Sequence, residues 1–200
     1  MLKLVLASAS PRRVELLNNA GYKFLHHPVK VSEITEEKLK PEENASQIAT
    51  VKAKACLEQY KQLKSGDYLI LSADTIVVTD DQILGKPSSA REAYDFLRRL
   101  SGRAHRVITG LALLETRTDK LWKGFDQTKV EFHPLTKTQI EEYIASGEPM
   151  DKAGAYAIQG LGGKFVSSHY GSWSNVVGLP LELLEKVLVE NGWTVDRKTP

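Results

Sequence analysis

Leu4-Val5-Leu6-Ala7-Ser8-Ala9-Ser10-Pro11-Arg12-Arg13 passes from an apolar strand through small residues into the opening of a helix. Pro11 suits the first helical position, where no N–H bond is lost, and the Ser10 hydroxyl is expected to cap the helix by accepting a first-turn N–H. Arg12 and Arg13 then stand against the positive end of the helix dipole, which opposes each cation by about 0.3–1 kcal/mol. A negative ligand would relieve that opposition. Ala7, Ser8 and Ala9 let such a ligand approach the backbone N–H groups, and the guanidinium forks match phosphate oxygens. The stretch therefore reads as an anion cradle; the competing reading is two surface arginines pointing into water.

Outside that stretch, composition narrows the possibilities. The 200 residues, 42% hydrophobic, suffice for one sizeable core, so a single domain over residues 1–200, drawn out into two lobes at most, is expected. A net charge of +2 with interspersed signs offers no extended basic face to nucleic acid or to a membrane. Any anion bound should be small and held locally. One cysteine excludes an internal disulfide framework, and no apolar run approaches the ~20 residues that span a bilayer. No basic segment followed by a long apolar stretch opens the chain, so the expected address is the cytoplasm.

The pattern predicts a helix from Arg12 to about Ala20 ended at Gly21, a strand over 22–31 disturbed at Pro28, then Glu33 and a solvated acidic loop over 34–43. A helix over 44–63 follows. Its apolar stripe of Ala45, Ile48, Ala49, Cys56 and Leu63 includes Lys52, whose ammonium on the buried side calls for an anion unless it snorkels out from the stripe edge. Residues 68–79 form the most apolar strand, expected to be central and covered on both faces, and Asp74 interrupts it. An unpaired buried carboxylate would cost several kcal/mol, so Asp74 requires a cation or a proton donor. The alternative, a turn or capping aspartate, fits poorly among so many strand-favouring neighbours.

Asp80 and Asp81 mark a turn into a short strand over 83–86, closed by Gly85-Lys86-Pro87. Ser89 and Glu92 suggest a capping box for a helix whose stripe is Ala93, Phe96, Leu97 and Leu100. Two long strands over 104–114 and 121–132 form an antiparallel pair, and Thr136 with Gln139 opens a further capped helix that stops at Ser146-Gly147. The glycine-rich segment 152–163 is irregular, where backbone can approach a ligand closely. A strand over 165–170, a loop over 171–178, a helix over 179–191 with Pro180 in its first turn, and a frayed tail after Trp193 complete the chain. The five histidines lack metal-ligand spacing and read as structural; neither a phosphate-binding P-loop nor a G-x-S-x-G elbow is present.

Ala7-Ser8-Ala9-Ser10-Pro11-Arg12-Arg13, Glu33, Lys52, Ala73-Asp74-Thr75, Gly85-Lys86-Pro87, Tyr156-Ala157-Ile158-Gln159-Gly160 and the stretch from Gly171 to Pro180 together resemble the Maf family of nucleotide pyrophosphatases, historically called septum-formation inhibitors. The resemblance covers nearly the whole chain. It implies an α/β fold of the Maf and inosine-triphosphate-pyrophosphatase kind: an elongated mixed sheet flanked by helices, with two lobes and a nucleotide cleft between them. It also implies hydrolysis of nucleoside triphosphates to monophosphate and pyrophosphate with a divalent metal of the magnesium, manganese or cobalt type. Thr75 after Asp74, together with Gln159, is similar to the dTTP/UTP branch; the 7-methyl-GTP branch tends to place Gln after that Asp. Ser32 departs from the family, which often has an acid there. Carried over, the family assigns Ser8, Arg12, Arg13, Lys52 and Lys86 to the phosphates, Asp74 to the water's proton and to the metal, and Glu33 to the metal or to a partner base. Gln159, with amide donor and acceptor, is expected to meet the base with Thr75 at the same end; the competing reading is a glutamine that only braces the glycine-rich loop. The nucleotide is then the expected partner, nucleic acid and membrane are not, and a homodimer is an allowed assembly. The alternative function is a nucleotide-sensing regulator of division with incidental turnover.

Overall fold

The computed structural model describes residues 1–198. It is a mixed α/β structure in which the chain forms two compact units, Met1–Asp74 with Thr109–Asp126 and the chain from Gly178 onward, and Thr75–Ile108 with Gln127–Val177. Strand order is Phe24–His26 (β2), Lys3–Leu6 (β1), Tyr68–Thr79 (β3), Ala104–Glu115 (β5), Leu121–Phe132 (β6) and Val166–Tyr170 (β7), with Gln82–Leu84 (β4) on β3.

In the first unit β1 (Lys3–Leu6) pairs in parallel with β2 (Phe24–His26) on one side and with β3 (Tyr68–Thr79) on the other, so that Val5 faces both Leu25 and Ile70. Between β1 and β2 lies α1 (Pro11–Asn19), followed by Gly21 in the left-handed region. The strand expected over 22–31 shrinks to three residues, because at the sheet edge it pairs only with the four-residue β1. The next helix, α2 (Pro41–Gln59), begins before residue 44, since Pro41 takes the first helical position and Glu43 Oε2 accepts the Lys40 N–H at 2.9 Å. Residues 61–63, expected in that helix, instead belong to a 3₁₀ turn over Lys61–Ser65. The predicted stripe is buried, Lys52 included at 7% exposure, and its Ala49, Cys56 and Leu63 pack with Val5, Ile70, Ala112 and Leu114.

Gly110 lets α2 lie close. It sits in β5 (Ala104–Glu115), and a Cβ there would overlap the Ala45 carbonyl and the Ser46 nitrogen of α2. Near the end of the chain, α6 (Leu181–Glu190) starts after Pro180, which occupies the N-cap rather than the first turn. The tail beyond Trp193 is tied down where it was expected to fray: Leu2 N donates to Thr194 O at 2.8 Å, and Arg197 stacks on Tyr22 at 3.5 Å from the ring centroid. Residues 199 and 200 of that expectation lie outside the described residues.

In the second unit Asp80 and Asp81, both at positive φ, turn β3 into the antiparallel β4 (Gln82–Leu84). Two helices, α3 (Ala90–Leu100) and α4 (Lys137–Ala145), supply Ala93, Leu97, Leu100, Ile140 and Tyr143 to a core shared with Val107, Val130, Phe132, Tyr156 and Phe165. Ser89 caps α3 through Glu92 N, but Glu92 turns its carboxylate to Ser88, so the box is only half formed. Thr136 and Gln139 form theirs reciprocally on α4. Strand β6 (Leu121–Phe132) follows β5 after a connection too short for a parallel crossover and carries the antiparallel β7 (Val166–Tyr170). The expected loop over 171–178 contains a one-turn helix, α5 (Trp173–Val177), opened by Ser172 Oγ accepting the Asn175 N–H.

Candidate active site

Lys52 Nζ lies 2.6 Å from Asp74 Oδ1 and 2.7 Å from Glu33 Oε1. The buried stripe of α2 delivers the lysine, the middle of β3 delivers Asp74, and the segment after β2 delivers Glu33. Asp74 and Lys52 have side chains only 8% and 9% exposed, whereas Glu33 is 39% exposed. One ammonium thus faces two carboxylates. Such a buried pair is weak support for stability, because desolvation offsets most of the attraction.

Beside it stands the arginine cradle. Arg13, buried at 8% exposure, donates from Nε to Gly178 O at 2.7 Å and from Nη1 to Ser8 Oγ at 3.1 Å. Burial pulls the guanidinium below its ordinary pKa and Arg12 adds to that pull, while Asp74 and Glu33 oppose it. The two carboxylates and the two arginines therefore share one electrostatic field. Ser10 occupies the N-cap but its hydroxyl makes no cap bond; its N–H instead donates to Ser8 Oγ at 3.2 Å. The expected cap is thus replaced by a serine turn, which fixes the Ser8 hydroxyl at the mouth of α1.

Two contributors had no sequence signature. His26 Nε2 donates to the Ser8 carbonyl at 2.7 Å, bracing the cradle from β2; its role becomes visible only once β1 and β2 pair with Leu6 opposite His26. The Gly178 carbonyl, which orients Arg13, belongs to a residue at φ +126°, where glycine is favoured. Of the remaining predicted residues, Arg12 is half-buried in the first unit. Thr75, half-buried, and Lys86 and Gln159, exposed, belong to the second unit.

Among the described residues no three or more His, Cys, Asp or Glu side chains converge as a metal-binding group. Of the predicted residues, Glu33 and Asp74 both meet the Lys52 ammonium. Two carboxylates are a donor set for a hard divalent ion that keeps several waters and takes phosphate oxygens, and a poor one for zinc. The residues fit an ion of the magnesium type.

Residues 3–191 match the family described as Maf-like protein. The chain belongs to the Maf family. Among its relatives, the dTTP/UTP pyrophosphatase of Bdellovibrio bacteriovorus is 46% identical over 185 residues, covering 92% of this chain and 96% of that one. The protein of the same name from Alkaliphilus oremlandii is 47% identical over 188 residues, covering 94% and 95%. That of Caldicellulosiruptor saccharolyticus is 42% identical over 193 residues, covering 96% of each. Maf membership thus extends over the cradle, the Lys52 cluster and the glycine-rich segment alike. No helix among the described residues is long and apolar enough to cross a membrane.

Proposed function

We propose that the chain is a nucleoside triphosphate pyrophosphatase that hydrolyses dTTP and UTP to the monophosphate and pyrophosphate. The observation that carries this reading is the Lys52 ammonium held between Glu33 and a carboxylate buried in mid-strand, in the field of the Arg13–Ser8 cradle. Substrate choice is supported by the relatives named dTTP/UTP pyrophosphatase at 42–47% identity.

A nucleoside triphosphate carries about four negative charges, which repel an attacking water until donors withdraw them. Ser8, Arg12, Arg13, Lys52 and Lys86 are assigned to hold those phosphates. Asp74 accepts a proton from the water as its oxygen bonds to the α-phosphorus and the bond from that phosphorus to pyrophosphate breaks. Glu33 and Asp74 would hold a divalent ion, which when bound draws further charge from the phosphate oxygens. No covalent nucleophile is needed. Gln159, whose amide both donates and accepts, matches the N3–H and O4 edge that uracil and thymine share, and Thr75 shapes the same end of the substrate. Cytosine reverses that pattern and would leave polar groups unpaired. A pure nucleotide sensor would gain nothing from a carboxylate beside phosphate except through a metal, whereas the enzyme reading also uses it as the proton acceptor.

The test is a panel of dTTP, UTP, dCTP, ATP, GTP and 7-methyl-GTP incubated with protein and Mg²⁺, Mn²⁺ or Co²⁺, scored separately for pyrophosphate and orthophosphate. Pyrophosphate should appear with monophosphate from the first time point, fastest from dTTP and UTP, and chelation should stop it. Early diphosphate and orthophosphate would replace the assignment with a phosphatase, and preference for purine nucleotides would overturn the base assignment.

A further inference from the structure

We propose that Glu148 and Tyr143 are positioning residues that set the turn carrying Gln159, and so govern base selectivity without touching the nucleotide. The proposal rests on the reading of Gln159 as the residue that meets the base.

Gln159 is exposed and lies in a segment of short 3₁₀ turns, rich in glycine, with little regular structure to fix it. A residue so placed discriminates between hydrogen-bonding edges only if its backbone is held. The Glu148 carboxylate supplies the hold on one side. Its Oε2 accepts the Leu161 N–H at 2.9 Å, and its Oε1 accepts the Gly162 N–H at 3.1 Å and the Tyr143 hydroxyl at 2.8 Å. Tyr143 supplies the other side, because its hydroxyl oxygen accepts the Ala157 N–H at 3.3 Å. One hydrogen-bonded unit from α4 and the turn after it therefore grips the chain on both flanks of Gln159. Between those grips the segment closes on itself, with Gly160 N donating to Ala157 O at 3.3 Å.

The fit is close, and a side chain at either of two glycines would displace the gripping groups. A Cβ on Gly160 would overlap both Glu148 carboxylate oxygens, and one on Gly162 would press on the Tyr143 hydroxyl. Tyr143 is itself fixed: it is 1% exposed and packs edge-on against Phe165 at 5.0 Å. Burial alone would raise the Glu148 carboxyl, but the donors from Leu161, Tyr143 and Gly162 hold it below its ordinary value, so it remains the charged acceptor these bonds require.

The experiment compares kcat/KM for dTTP and dCTP in the unmodified protein, Glu148→Gln, Tyr143→Phe, Gln159→Ala and the double variant Glu148→Gln/Gln159→Ala, with thermal melting of each. Glu148→Gln puts an amide N–H against one of the backbone donors, and Tyr143→Phe removes the bridge while keeping the ring. Each should lower the dTTP to dCTP ratio about tenfold, and Glu148→Gln should change it no further once Gln159 is alanine. A lost overall rate with an unchanged ratio would mark a merely structural role. The proposal alone is overturned if Gln159→Ala lowers the ratio while Glu148→Gln and Tyr143→Phe leave it intact. An unchanged ratio in Gln159→Ala overturns the base-reading assignment, and the proposal with it. Should Glu148→Gln not fold, Tyr143→Phe decides by the same outcomes.

Discussion

Lys52 Nζ lies 2.6 Å from Asp74 Oδ1, joining the buried stripe of α2 to the middle of β3. The contact explains how a carboxylate persists inside an apolar strand, and it defines what an amide can and cannot replace. Asp74→Asn retains an oxygen to accept from the lysine but has no basic site for a proton. The variant should fold and bind nucleotide while turnover falls at least ~10²-fold, the scale of losing a general base. Steady-state pyrophosphate release on the purified variant measures this; near-normal turnover would remove Asp74 from the proton-accepting role.

The same pair predicts a stability coupling. Lys52→Met leaves Asp74 charged and buried beside only the cradle cations, a loss of about 3–5 kcal/mol when one partner of a buried pair is removed. In an Asp74→Asn background the uncompensated charge is gone, so Lys52→Met should cost less by roughly 1–3 kcal/mol. Urea unfolding of the four proteins closes the cycle. Strictly additive costs would show that the ion pair is geometrically close but energetically idle.

Packing beneath the site predicts a third outcome. Since a Cβ at Gly110 would meet the backbone of Ala45 and Ser46 rather than a flexible side chain, α2 must shift to accommodate it. Overpacking of this kind costs typically 1–3 kcal/mol or more. Gly110→Ala should lower the melting temperature by several degrees and reduce turnover as well, because α2 carries Lys52. A variant that melted normally and turned over normally would show that the helix has room to move.

The residues that were legible from sequence are those whose type conflicts with their surroundings. Asp74 in a Leu/Ile/Val strand and Lys52 in an apolar helical stripe are both costly without a partner, and they turn out to be each other's partner. The bounds of β3 were equally plain, since a strand covered on both faces is apolar throughout. Edge elements are not: strand-favouring residues such as Val29 and Val31 continue beyond His26, where β1 has run out of partners for β2. The single turn of α5 was invisible because it depends on a Ser172 hydroxyl bond, with no stripe to announce it. His26 and Glu148 escaped notice for a related reason. Both act on backbone groups distant in sequence, and no side-chain pattern records where a carbonyl or N–H will be.

His105, assigned from sequence only a structural role, gives a pH signature. Its ring is 3% exposed, with Nε2 2.8 Å from the Tyr156 hydroxyl and Phe132 edge-on at 4.9 Å. Burial pulls its pKa from 6.5 down to about 4, with the Arg103 backbone opposing. The folded protein therefore binds this proton less readily than the unfolded chain does. Above about pH 6.5 neither state holds the proton and nothing is lost; between 6.5 and about 4 the unfolded chain takes it up first, so stability falls; below about 4 both states are protonated and the loss levels off. At about 1.36 kcal/mol per unit, the loss attributable to His105 is on the order of 3 kcal/mol. His105→Gln can still bond the Tyr156 hydroxyl but does not titrate, and losses from carboxylates are common to both proteins. Denaturant unfolding at about pH 7 and about pH 4.5 should therefore show a larger drop in the unmodified protein than in His105→Gln. Equal drops would mean that the ring takes up its proton in the folded state, which the apolar walls of Phe132 and Tyr156 oppose.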